Sequence, residues 1–319
     1  MPRTVQTLIV LLALTVIGTT ARAGTDPTPV APAPEKPGAS SPMYVLKERV
    51  LQMTEFLDTV LPGTLGADNV TLHVNPRFTD LRDREFFRLP VEVRYGATDR
   101  LELIGGVSPF TPNPINSGRD HRWGPGEAKI GARYDIGSRL WFYDKATVGL
   151  ETRVPLGKPP VQLNDHYTHV RPFLATSRTL RRWPQTTFYT NFSYDRSVKL
   201  TERGPPPPDV ERRHVGEVAP GLLYKPGELG YFAEYRFRHF QTPLENHLGH
   251  ETQIGTIWDI PLWRSAQWKL PGKWQVSIGY RYTTEEGHGD SHGVTTRVSW
   301  RTTLREVLEH VTPKPAASR

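Results

Sequence analysis

Residues 274–283 read Trp274-Gln275-Val276-Ser277-Ile278-Gly279-Tyr280-Arg281-Tyr282-Thr283, with apolar and polar or small side chains strictly in turn. Successive side chains of a strand point to opposite faces, so a period of two predicts a strand with one apolar and one polar face. Outward from this stretch the same rhythm returns. Ala128, Ile130, Ala132, Tyr134 and Ile136 interleave with Lys129, Gly131, Arg133 and Asp135. Ala146, Val148 and Leu150 interleave with Thr147, Gly149 and Glu151, and Tyr231, Ala233, Tyr235 and Phe237 with Phe232, Glu234, Arg236 and Arg238. The pattern predicts twelve strands, at 70–79, 85–96, 100–108, 126–136, 145–155, 169–177, 185–195, 213–224, 229–239, 250–260, 273–283 and 292–301. Pro172 and Pro220 blur the sixth and eighth. Most of these segments are about twice the ~5–6 residues common in soluble strands. That is the length a tilted strand needs to cross a hydrocarbon layer.

The connections sort into two kinds. Ala97–Asp99, Gly137–Asp144, Arg178–Pro184 and Lys225–Glu228 are compact, with Pro261–Gly272 longer. Pro109–Pro125, Leu156–Thr168, Arg196–Arg212, Phe240–Gly249 and Thr284–Ser291 are longer and rich in Pro, Asn, Gly and His, Asp80–Arg84 being the short exception. An even strand number with turns on one side and loops on the other is the layout of an outer-membrane barrel with both termini in the periplasm. A soluble β-sandwich accounts for alternation but for neither the strand length nor the two-sided connections.

Hydration cost then assigns the faces. A Lys or Arg turned to lipid costs about 2–4 kcal/mol at the bilayer midplane. Arg94, Lys129, Arg133, Arg153, Arg236, Arg281 and Arg297, with Glu151 and Glu234, are therefore the candidate lumen-lining residues. Glu92, Glu102, Glu217 and Glu251 join them on the inward faces, while Val148, Leu150, Tyr235, Phe237, Ile278, Tyr280, Val298 and Trp300 face out. The expected lumen is hydrated and of mixed charge.

Upstream of the strands, Met1–Gln6 carries one Arg, Leu8–Gly18 is apolar apart from Thr15, and Ala21-Arg22-Ala23 offers a small-x-small site. This reads as a secretory signal over 1–23, cleaved before Gly24; an uncleaved anchor is the alternative. Residues 24–42 hold six prolines and read as an extended linker. Leu46, Val50, Met53, Leu57 and Val60 recur at spacings of four and three before Pro62-Gly63. That spacing predicts an N-terminal periplasmic amphipathic helix within 43–63, docked on the remainder or self-associating. The barrel would occupy 68–301, with a periplasmic extension over 302–319.

Three stretches resemble the outer-membrane transporter family named for the MetA pathway of phenol degradation. They are Val93–Leu103 (VRYGATDRLEL), Gly124–Tyr134 (GPGEAKIGARY) and Val148–Gly157 (VGLETRVPLG). The likeness is best over 85–160 and is carried beyond it by strand rhythm alone. It implies a barrel of the twelve-strand class with a transport role and no catalytic residues. The chain departs from common barrels in placing 19 residues after Trp300, so that Gly293–Trp300 would have to serve as an internal signal to the barrel assembly machinery.

Composition closes other routes. With no cysteine there is no disulfide scaffold, thiolate metal site or cysteine nucleophile. The net charge of +7 is spread singly along the chain, and Arg3 and Arg22 lie in the cleaved segment, so nucleic acid is not an expected partner. His288 and His292 flank Asp290 in a glycine-rich loop, which cannot hold both rings on one helical face for a metal. Asp290-Ser291-His292 are sequential and cannot line up as a triad. Gly124-x-Gly126 and Gly287-x-Gly289 precede no helix that could cradle a phosphate. The sequence thus predicts a non-enzymatic barrel without cofactor or bound metal, surrounded by outer-membrane lipid and passing a small-molecule solute. A structural or adhesive barrel with a filled lumen is the alternative, and an outer-membrane hydrolase a more distant one.

Overall fold

The computed structural model describes residues 55–57, 59–78, 85–115, 121–138, 143–156, 160, 166–200, 214–242, 246–268, 272–286 and 289–311. The expected signal, the proline-rich linker and the first part of the expected helix (43–54) lie outside the described residues. So do the Pro205–Pro208 stretch, His288 and the last residues of the C-terminal extension.

Twelve antiparallel staves close into a barrel. They are β3 (Asn69–Val74), β4 with β5 (Phe86–Arg88 and Val91–Gly96), β6 (Leu101–Pro112), β7 (Gly124–Gly137), β8 (Lys145–Pro155) and β9 (Tyr167–Leu180), followed by β10 (Trp183–Leu200), β11 (His214–Tyr224), β12 (Leu229–Gln241), β13 (Asn246–Ile260), β14 (Lys273–Glu285) and β15 (Gly289–Thr303). Each pairs with its sequence neighbour, and β15 returns to β3 with Thr71 opposite Arg301. No sheet edge is left along the seam, as closure requires. β4 and β5 are one stave interrupted at Leu89-Pro90. Leu89 N–H donates to the Pro109 carbonyl at 3.0 Å, which keeps the stave attached to β6 across the break. The two internal prolines are handled by gaps. The β11–β12 ladder passes from Val218 opposite Phe237 to Gly221 opposite Glu234, and the β9–β10 ladder passes over Pro172 in the same way, because proline has no N–H to give.

Several strands outrun their expected ends, so the connections expected to be long at Phe240–Gly249 and Thr284–Ser291 shrink to 242–245 and 286–288. Pro261–Gly272 contains a short helix, α1 (Leu262–Gln267). Around it Trp258 meets Trp268 edge to face at 6.5 Å, Trp274 lies 6.2 Å from Trp300, and Arg264 sits over Trp263 at 4.9 Å. Past β15, α2 (Leu304–Val311) begins with a capping box: Glu306 N–H donates to Thr303 Oγ1 at 3.2 Å and Thr303 N–H to Glu306 Oε2 at 3.4 Å. The outer face carries Ile130, Val148, Leu150, Leu222, Tyr235, Ile254, Ile278 and Tyr280, all large, apolar or aromatic, and all more than a third exposed. This is the belt that the alternation predicts for lipid.

The helix expected to end near residue 61 is corrected over its described part. Glu55–Phe56 (β1) and Thr59–Val60 (β2) form a two-rung antiparallel hairpin. Leu57, at its turn, takes φ 46, a left-handed conformation that ends a helix rather than continuing one. Thr59 and Val60, β-branched, favour the extended form. The apolar spacing is real but serves another purpose. Leu57 and Leu61 are buried inside the barrel against Tyr189, Leu223, Phe232 and Ile257 from β10–β13. Burying each stabilises the seated hairpin by roughly 1.5–3 kcal/mol.

Candidate functional site: the charged lumen

The inward rows of β3 to β15 bring the titratable side chains to one interior, where an isolated charge is costly and a paired, hydrogen-bonded one is tolerated. One network centres on Glu92, Glu102 and Glu151. Lys129 Nζ lies 2.7 Å from Glu92 Oε2 and 3.2 Å from Glu151 Oε1. Arg133 Nη2 donates to Glu102 Oε2 at 2.6 Å, and Arg94 pairs with both Glu92 and Glu102. Across the lumen a second network centres on Glu217, Glu234 and Glu251. Arg236 reaches Glu234 at 2.6 Å and Glu251 at 3.4 Å, Arg238 reaches Glu217 at 2.9 Å and Glu251 at 3.1 Å, and Arg171 reaches Glu217 at 3.1 Å. A third, smaller group joins Arg153 to Asp195, which also meets His169 Nδ1 at 2.6 Å.

Leu57 and residues 59–65 run between these networks and are tied to the wall by backbone and side-chain bonds. Thr59 Oγ1 donates to Glu234 Oε2 at 2.7 Å, Gly63 N–H to Thr147 Oγ1 at 2.7 Å, and Leu65 N–H to Glu102 Oε2 at 2.9 Å. Arg297 donates to the Leu57 carbonyl. Glycines on the wall make the room. A Cβ on Gly279 would come within 2.7 Å of Leu57 Cδ1, and one on Gly96 within 1.8 Å of the Gly66 carbonyl oxygen. The contacted wall residues, Glu102, Thr147, Glu234 and Arg297, all lie in the halves of their strands nearer the short turns.

Toward the other half lies a cavity of about 420 Å³, floored by Leu57 and Val60. Its lining carries nine basic side chains, Arg77, Arg88, Lys129, Arg153, Arg171, Arg236, Arg238, Arg281 and Arg297, against five acidic ones, Glu92, Glu127, Glu151, Asp195 and Glu217. Of the nine residues singled out from sequence, Lys129, Glu151, Arg153, Arg236, Arg281 and Arg297 border this cavity. Arg94, Arg133 and Glu234 also point inward but sit beside the inserted segment: Arg94 and Arg133 grip Glu102, and Glu234 accepts from Thr59. Arg281 differs from the others in forming no ion pair among the described residues. Sequence reading passed over Arg77, Arg88 and Arg171, and it set Arg238 on the polar face of its strand without counting it among the lumen residues. Arg171 stands beside the proline that blurs its strand, and Arg77 and Arg88 lie next to the broken first staves; the inward parity of Arg171 with Phe173 and Ala175 was the available signal.

No protein-family model matches the chain, and no curated protein matches it either. Among solved structures, an outer membrane channel from Pseudomonas putida F1 is 11% identical, with 78% of this chain and 98% of that one covered and a TM-score of 0.51. The NanC porin is 12% identical over 73% of this chain and 98% of its own, with a TM-score of 0.43. For the KdgM porin the values are 8%, 74%, 99% and 0.38. The first of these shares the closed-barrel fold.

Proposed function

We propose that the protein is an outer-membrane channel for small anionic solutes, entered from the loop side and occupied in its turn-side half by Leu57 and residues 59–65. The carrying observation is the cavity inside the barrel, whose basic lining residues outnumber acidic ones nine to five. Arginine keeps its charge at any physiological pH and presents a planar fork to a carboxylate or phosphate. Low-dielectric walls concentrate such a field along the axis. The solved channel of the same fold and the resemblance to the MetA-pathway transporter family support this reading, as does the reading of residues 1–23 as an export signal. On it, outer-membrane lipid surrounds the barrel, and the barrel assembly machinery inserts it.

The seated hairpin favours a second reading, a structural barrel with a filled lumen. Planar-bilayer recording separates the two. Under a potassium chloride gradient the channel reading expects discrete conductance steps and a reversal potential displaced toward chloride. An electrically silent protein, even after the hairpin contacts at Leu57 and Leu61 are removed, establishes the filled barrel instead.

A further inference from the structure

The outer wall carries a groove as well as a belt. Pro172 and Leu174 on β9, Phe192 and Tyr194 on β10, Val218 on β11 and Phe237 on β12 line a shallow apolar depression of about 570 Å³. Its floor is open at Gly216, where an added Cβ would meet only Tyr194 Cδ2, at 4.0 Å. Three basic or titratable residues stand at its loop-side end on adjacent strands. Arg196 on β10 lies opposite His214 on β11, and Gly216, the next outward position, lies opposite His239 on β12. One strand further, His250 Nδ1 is 2.5 Å from Tyr235 Oη and its ring 5.4 Å from that of Phe237. Neither the Arg196 nor the His239 side chain has a hydrogen-bond or ion-pair partner among the described residues, and Arg196 is exposed.

Outward titratable side chains also stand at the loop-side end of β14–β15, where His292 lies against Tyr280 and Tyr282, and Asp290 accepts from Tyr282 Oη; what sets this groove apart is an exposed arginine, Arg196, followed by His214 and His239 on the next two strands, above an apolar slot. Its chemistry is that of a lipid: an apolar slot for acyl chain, continuous with the membrane-facing belt, beneath donors matched to a phosphate at headgroup height. The loop-side end faces the outer leaflet on the topology above, and that leaflet presents phosphomonoesters on a multiply acylated glycolipid. We propose that the wall of β9–β12 holds one such phosphorylated glycolipid, acyl chain against Phe192, Val218 and Phe237, phosphate against Arg196, His214 and His239. The proposal rests on the outer-membrane placement argued above.

The test titrates purified full-length protein in mild detergent with diphosphoryl lipid A, its monophosphoryl form and phosphatidylglycerol, with bound lipid read by native mass spectrometry. Wild type is expected to retain diphosphoryl lipid A at least tenfold more tightly than phosphatidylglycerol, and to lose much of that preference with the monophosphoryl form. Arg196→Glu with His239→Glu, and separately Gly216→Trp, should each weaken retention about tenfold while the unboiled protein keeps its barrel mobility on a gel. Equal retention of the three lipids by wild type overturns the proposal without any variant. So does unchanged retention by folded variants. A protein found soluble in the periplasm fails the placement itself, which the cell fractionation reads separately.

Discussion

Arg133 and Arg281 have the same alternating context in sequence, yet the structure separates what each holds. Arg133 is 1% exposed and bound to Glu102, whose other oxygen faces Arg94. Arg281 borders the cavity with no ion-pair partner among the described residues. Removing one member of a buried pair leaves a charge poorly compensated, at a cost of about 3–5 kcal/mol. Glu102→Gln should therefore lower the temperature at which the compact gel form converts to the unfolded one, with little change in selectivity. Arg281→Glu should do the opposite, moving the reversal potential toward potassium while the conversion temperature stays within a few degrees of wild type. A stability loss in Arg281→Glu without a change in reversal potential would make that residue a brace. Inward parity was legible for both, because hydration cost alone turns a charge away from lipid. Which carboxylate each meets was not, since cross-strand partners depend on register and register depends on every turn in between.

At the level of elements, all twelve strands could be read from alternation, most of them to within a few residues. The inserted hairpin could not. Leu57 and Leu61 sit four apart, as on a helix face, and nothing in the sequence says that the surface awaiting them is the inside of the barrel. Phe232, Tyr189 and Ile257 hold inward positions that otherwise carry charge, and only their neighbours in space show that they form one apolar pocket. The pocket gives a direct test. Because the chain has no cysteine of its own, Leu57→Cys with Gly279→Cys places a single thiol pair where the side chain of one meets the space beside the other. Oxidation should hold the hairpin in place and depress conductance, and reductant should restore it. Leu57→Ala with Leu61→Ala should lengthen or multiply openings. Conductance indifferent to both pairs would show that current, if any, bypasses this segment.

For the whole molecule, the two ends of the barrel differ in what they show to solvent, and that difference can be read on intact cells. Ile115, 75% exposed on the β6–β7 connection, and Glu228, exposed on the β11–β12 turn, lie at opposite ends. A membrane-impermeant maleimide should label Ile115→Cys and leave Glu228→Cys untouched until the outer membrane is broken; the reverse pattern would invert the topology. The position of the hairpin in the chain also sets a timetable. Leu57 meets Arg297 across 240 residues, and Thr59 meets Glu234 across 175. Contacts of such span form late, because the intervening chain must first be brought into order. The seam that closes the barrel, Thr71 opposite Arg301, spans 230 residues, so the seating of the hairpin and the closing of the staves belong to the same late stage, and the earliest part of the described chain waits on the latest. Any variant that delays the arrival of the last strand should therefore also delay the filling of the interior, so that one slow step governs both the shape of the barrel and the stopper inside it.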